Sequence, residues 1–244
     1  MVTLDAAGLH YMELNRLLRD AVRSGATEVE LVNVRGQRYI GDGVSAKVQV
    51  HVRGVPGNDL GAFMDGPALV VHGNAQDACG NTMNDGRIVI HGHAGDVLGY
   101  GMRGGRLHVL GDVGYRVGIH MKAFRRQTPV LVVGGTARDF FGEYMAGGVL
   151  VLLGLERNGH DLVGDYFGTG MHGGTIYVRG EVEKHKLGRE VGAQPLTDAD
   201  MAELKACVEA FCQDMGISSE EVLSQPFTKY VPVSTRPYGK LYAY

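Results

Sequence analysis

A short run rich in Val, Ile and Leu ends on a glycine seven times in this chain. These glycines are Gly54, Gly73, Gly92, Gly111, Gly135, Gly154 and Gly180, separated by 19, 19, 19, 24, 19 and 26 residues. Self-similarity at a period near 20 decides the architecture before any local motif does, because each repeat is one unit that buries its apolar face only by stacking on its neighbours. A second glycine follows each of the first five markers by seven residues, at Gly61, Gly80, Gly99, Gly118 and Gly142, and Gly168 holds the corresponding place in the last repeat. Three residues beyond each of these six stands a methionine: Met64, Met83, Met102, Met121, Met145 and Met171.

The positions four and two before the markers complete the pattern. Four before are Val50, Leu69, Ile88, Leu107, Leu131, Leu150 and Ile176; two before are Val52, Val71, Ile90, Val109, Val133, Leu152 and Val178. Alternate strand residues share a face, so these aliphatic columns define one inward surface through seven stacked strands. The expected fold is mainly β, a single-stranded parallel β-helix of about seven rungs, with glycine corners and methionine filling the corner volume. Two buried aliphatic side chains stabilise each rung by about 3–6 kcal/mol before entropy is subtracted, so the stack folds as a unit. A leucine-rich horseshoe has a similar period but calls for an LxxLxL pattern that is absent.

The organisation read from the chain is an α/β cap over 1–39, the β-helix over 40–182, and helices with an extended docking arm over 183–244. In the cap, Leu14, Leu17, Leu18 and Val22 share a helical face and ATEVELVNV reads as a strand. Beyond the helix, Thr197 caps a helix ending near Gly216 with Met201, Leu204, Val208, Phe211 and Cys212 as its stripe, and Ser218 opens another turn. The final FTKYVPVSTRPYGKLYAY, with Tyr238 and Tyr242, reads as the arm.

Charge and cysteine usage narrow the function. With 24 basic against 27 acidic residues, neither a nucleic-acid groove nor a membrane surface is indicated as partner. The start has no leader pattern and no stretch is apolar enough to span a bilayer, which predicts a cytoplasmic protein. Cys79, Cys207 and Cys212 form no CxxC pair, so no disulfide, zinc site or cluster is expected.

Several sharper readings lose to plain ones. His72 and His91 stand one rung apart, but no third ligand recurs in their column, so no metal site is assigned. Asp77, Asp96, Asp139 and Asp165 each precede a corner glycine by three residues and read as turn caps rather than as acid–base or calcium groups. GYGMRGG and GTGMHGG run into strands, not helices, and so are not phosphate loops. Arg103, Lys122, Arg125 and Arg126 make a basic insertion able to meet a partner's carboxylates. The outward strand positions His51, Val70, Val89, His108, Val132, Val151 and Tyr177 are mostly apolar, so something covers them: in part the C-terminal helix, in part a subunit interface at Val70, Val89, Val132 and Val151.

The runs RYIGDG, GVPGNDLGAFMDG, GNAQDACGNTMNDGRIVIHGHAGDVLGYGMRGG, VGYRVGIHMK and FFGEYMAGG resemble the glycine-motif (GXGXG) β-helix domain of the glutamate synthase large subunit, in the stand-alone form found in split enzymes. The resemblance covers residues 3–244. The β-helix chain of formylmethanofuran dehydrogenase is related through the same repeat. What the resemblance implies is a non-catalytic docking subunit that holds a glutaminase (amidotransferase) and an FMN/iron-sulfur synthase subunit together for making glutamate from glutamine and 2-oxoglutarate. FMN and the iron-sulfur cluster would then sit in the partners, with no catalytic, cofactor or metal residue carried by this chain. A formylmethanofuran-dehydrogenase-like complex and a solenoid enzyme acting alone are the alternatives.

Overall fold

The computed structural model describes residues 1–157 and 159–234. Strand β1 (Val2–Asp5) leads through helix α1 (Tyr11–Arg23) to β2 (Glu28–Arg35). Seven further strands follow at the repeat spacing: β3 (Gln49–Val55), β4 (Asp65–Val71), β5 (Asp85–Ile90), β6 (Arg106–Val109), β7 (Val130–Val133), β8 (Ala146–Leu152) and β9 (Gly173–Arg179). After these come β10 (Val191–Gln194), α2 (Asp198–Met215), α3 (Ser219–Leu223) and β11 (Phe227–Pro232). The eleven strands of the described residues form one sheet in the order β1-β2-β3-β4-β5-β6-β7-β8-β9-β11-β10.

Sequence and register agree. Val50 pairs with Leu69, Leu69 with Ile88, Ile88 with Leu107, and so on through Leu131 and Leu150 to Ile176, all in parallel. Every residue of the two inward columns is at most 1% exposed, as are all six corner methionines. A one-residue slip would turn each column outward, so the two apolar columns fix the register.

The cap is part of the same stack. β2 pairs in parallel with β3, placing Val29 beside Val50 and Leu31 beside Val52, and β1 pairs in parallel with β2. A corner at Tyr39–Gly43 closes this additional rung, with Gly41 at φ +77°. Of the α1 stripe, Leu14 and Leu18 are buried, while Leu17 and Val22 are half-buried.

Helix α2 forms as its ends dictate. Thr197 and Asp200 make a reciprocal capping box, and Gly216 closes the helix at φ +71°. Leu204, Cys207, Val208, Phe211 and Cys212 pack on the outward side chains of β7, β8 and β9, whereas Met201 is exposed and does not belong to the stripe. Part of the expected arm is a strand instead. β11 pairs antiparallel with β9 and with β10, so among the described residues two short antiparallel strands end the sheet and shield the edge of the last long rung.

Candidate partner-docking surfaces

At each corner the backbone alternates hand. The corner glycines Gly61, Gly80, Gly99, Gly118, Gly142 and Gly168 lie between φ +65° and +75°. The residues two before them, Asp59, Ala78, Val97, Arg116, Phe140 and Tyr166, are left-handed as well. Two residues after them, Phe63, Thr82, Gly101, His120, Tyr144 and Gly170 repeat the conformation. Hydrogen bonds between rungs supply the reason. Gly80 N–H donates back to Leu60 O at 2.9 Å, while Ala78 and Thr82 donate forward to Asp96 O and Tyr100 O at 2.8 and 2.7 Å. Each turn is thereby tied to both neighbours, which offsets the cost of left-handed non-glycine residues.

The central glycine meets a second demand. A Cβ on Gly99 would stand 2.8 Å from Leu131 Cδ1, and on Gly118 2.7 Å from Leu150 Cδ1, so the corner closes onto the inward column with no room for a side chain.

The aspartates cap backbone, though in the next rung rather than in their own turn. Asp77 accepts from Asp96 N–H, Asp96 from Tyr115 N–H, and Asp139 from Asp165 N–H, each at 2.9 Å. Asp112 accepts from Thr136 N–H and Oγ1–H at 2.7 and 2.9 Å, and these bonds hold its carboxyl below the usual range although burial alone would raise it. A Cβ on Gly95, Gly114 or Gly164 would overlap those carboxylate oxygens, so a second glycine column serves the ladder.

The histidines number three in one row. His51 Nδ1 and His72 Nε2 are 3.0 Å apart, His51 and His72 rings stack at 5.3 Å, and His72 and His91 rings stack at 5.8 Å. Burial, then the charges of Arg53, His51 and His91, lower the His72 pKa. Among the described residues no group of three or more His, Cys, Asp and Glu side chains is placed to hold a metal ion. The thiols are packing groups: burial pushes Cys79 up to about 12 and Cys207 up to about 11, and raises Cys212.

The expected interface strip must be corrected. Val132 and Val151 are fully buried beneath α2, and Val89 and Val70 are also buried, at 2% and 8% exposure. The physical reason at Val132, Val151 and Tyr177 is that α2 returns along the outer face. His108, itself in that strip, bonds through Nδ1 to Asp214 of α2 at 2.8 Å, and Arg87 bonds the same carboxylate at 2.6 Å. Tyr177 donates its hydroxyl to Glu203 at 2.9 Å. Arg125 and Arg126 are exposed, as expected of the insertion. Tyr238 and Tyr242 lie outside the described residues.

What stands exposed instead is the corner edge. Tyr100, Tyr115, Tyr144 and Tyr166 are 40%, 46%, 47% and 56% exposed, and Phe63 54%. The rings stack from rung to rung: Phe140 on Tyr166 at 4.8 Å, His120 on Tyr144 at 5.4 Å, and Arg116 over Phe140 at 4.3 Å. Arg116 is held by an ion pair to the buried Glu143. Exposed aromatics with arginine are the composition of a protein interface. Reading the residues one to three positions either side of the corner glycines as columns would have found this edge; the strand columns drew attention away from it.

Three comparisons bear on this geometry. An uncharacterized protein of Methanocaldococcus jannaschii is 48% identical over 250 residues, covering 99% of this chain and 96% of its own. A chain in the crystal structure of the formyltransferase/hydrolase complex from Methylorubrum extorquens, solved with methylofuran, shares the fold at a TM-score of 0.64 and 18% identity, over 96% of each chain. The family model of the GXGXG motif matches residues 12–236, nearly the whole length over which glycine corners and stacked strands have been traced, and this chain belongs to the GXGXG motif family.

Proposed function

We propose that this chain is a structural subunit of a multi-subunit enzyme, and that the enzyme is a split glutamate synthase. In this reading it holds a glutaminase and an FMN/iron-sulfur synthase subunit in fixed orientation, with the flavin and the cluster in those partners. The observation that carries the reading is the division of labour among side chains. Corner glycines, methionines and aspartates serve contacts between rungs, while the exposed chemistry is an aromatic edge and a basic loop, suited to grip protein surfaces. The runs from RYIGDG to FFGEYMAGG support the choice of glutamate synthase.

A second reading is a β-helix subunit of a formylmethanofuran-dehydrogenase-like complex. The fold likeness to a chain of the formyltransferase/hydrolase complex favours it.

Affinity purification of the tagged chain from its native cells, with mass spectrometry and a glutamine-dependent glutamate synthase assay, separates the two. Co-purifying flavin and glutaminase subunits, with activity that depends on this chain, is the expected result. Recovery with a molybdenum or tungsten subunit selects the second reading. Turnover by the chain alone removes both.

A further inference from the structure

The connection from β6 to β7 carries an insertion with an unusual tip. Phe124 N–H donates to Gln127 O at 3.1 Å and Gln127 N–H donates to Phe124 O at 3.0 Å, closing a two-residue turn made of Arg125 and Arg126. Arg125 stands at φ +58°, where glycine, asparagine or aspartate is at ease and a long side chain is not. The left-handed non-glycine residues of the corners, Arg116 among them, are held by hydrogen bonds between rungs, whereas Arg125 lies in the two-residue turn of an insertion. Strain retained at an exposed tip points to a role for the side chain itself.

The surroundings agree. The Arg125 guanidinium lies 5.1 Å over the ring of Phe124, which is 44% exposed. Among the described residues no carboxylate is within ion-pair distance of Arg125, Arg126 or Arg103. Met83 O accepts from Arg103 N–H and Met102 O from Lys122 N–H, so Arg103 and Lys122 occupy one column on adjacent rungs beside the insertion. The base is firm: Gly147 lies so close under Ala123 that a Cβ would come within 2.7 Å of its nitrogen. Positive charge is thus concentrated on a braced projection of a chain whose formal net charge is −3.

We infer that this tip is an anchor: Phe124 enters a pocket on a partner subunit whose rim is acidic, and Arg125 and Arg126 pair with carboxylates of that rim. Aromatic and arginine side chains dominate interface energetics, and the guanidinium fork matches a carboxylate in a bidentate pair. A two-residue tip suits a pocket better than the extended backbone of a nucleic acid. The inference deepens the subunit reading above and rests on it.

The test is reconstitution of the full-length chain with purified glutaminase and FMN/iron-sulfur synthase subunits, measuring affinity at several KCl concentrations. Wild-type affinity falls as salt rises, R125E/R126E weakens assembly by about 100-fold or more, and F124A weakens it by about 10-fold. R125G keeps or raises the melting temperature yet loses about 10-fold in affinity, which separates anchoring from folding. Equal assembly by wild type and R125E/R126E overturns the anchor and leaves the subunit reading intact. No assembly by the wild type overturns both. Tighter wild-type binding to heparin than to the subunits, lost in R125E/R126E, makes the tip a polyanion site and overturns the acidic-pocket assignment.

Discussion

Gly118 and Gly43 both adopt a left-handed backbone, at φ +75° and +63°, but they meet different surroundings. A Cβ on Gly118 would press to 2.7 Å from Leu150 Cδ1, whereas one on Gly43 meets nothing within 4 Å. G43A is therefore expected to cost about 1 kcal/mol, from backbone strain alone. G118A adds overpacking of the inward column, for a total of about 2–4 kcal/mol. Urea unfolding of the two variants checks this; equal losses would show that space at the corner is not what glycine provides. The glycine corners were legible in the sequence because a side chain is forbidden there. The left-handed Ala78, Val97 and Phe140 were not, since nothing local favours that conformation in them. It is imposed by hydrogen bonds to residues of the next rung, Asp96, Tyr115 and Asp165, a cause absent from any short window of sequence.

Helix α2 shows the same limit one level up. Its ends were readable from Thr197 and Gly216, because capping is local. Its destination was not, because the contacts to Val132, Val151 and Tyr177 span from 23 to more than 70 positions along the chain. The polar latch at its C-terminal end titrates. Burial alone would raise the Asp214 pKa, but the His108 hydrogen bond and the charges of His108, Arg87 and Arg106 outweigh it and hold it below the usual value. A carboxylate depressed in the folded state contributes stability that is full above its unfolded pKa, about 3.9, and is lost as pH falls through the folded value. Amide exchange in α2 should thus accelerate below about pH 4 before the β-strands open. D214N reduces that acid dependence, leaving the part due to Asp200 of the capping box, whose carboxyl Lys229 and Thr197 also hold below its usual value, and loosens α2 at neutral pH by about 1–3 kcal/mol. A helix that exchanges identically in wild type and D214N at pH 7 would mean the latch carries no weight.

For the whole molecule, the repeat predicts what can be removed. Residues 55–73 run from just after one marker glycine to the next and contain β4. Their deletion joins Gly54 to Asn74 and sets β3 against β5, keeping the inward columns in phase through Val50 and Ile88. The shortened chain is expected to fold with a single, lower melting transition and, by X-ray scattering, to be shorter by about 4.8 Å, one strand spacing. Deleting 55–64 instead shifts the columns out of phase and should give insoluble protein. Equal solubility of the two deletions would refute the phase argument.

The long rungs show what that spacing means for an assembly. The repeat of 24 residues that holds the basic tip and the one of 26 residues before β9 each advance the stack by one strand, as do those of 19. Residues added there go sideways and leave the axial distance unchanged, so the molecule measures length in whole steps of about 4.8 Å, whatever its residue count. Two surfaces fixed to different rungs keep their separation while the loops between them are free to be rewritten, and a new grip can be added to such a spacer without resetting the gap it spans.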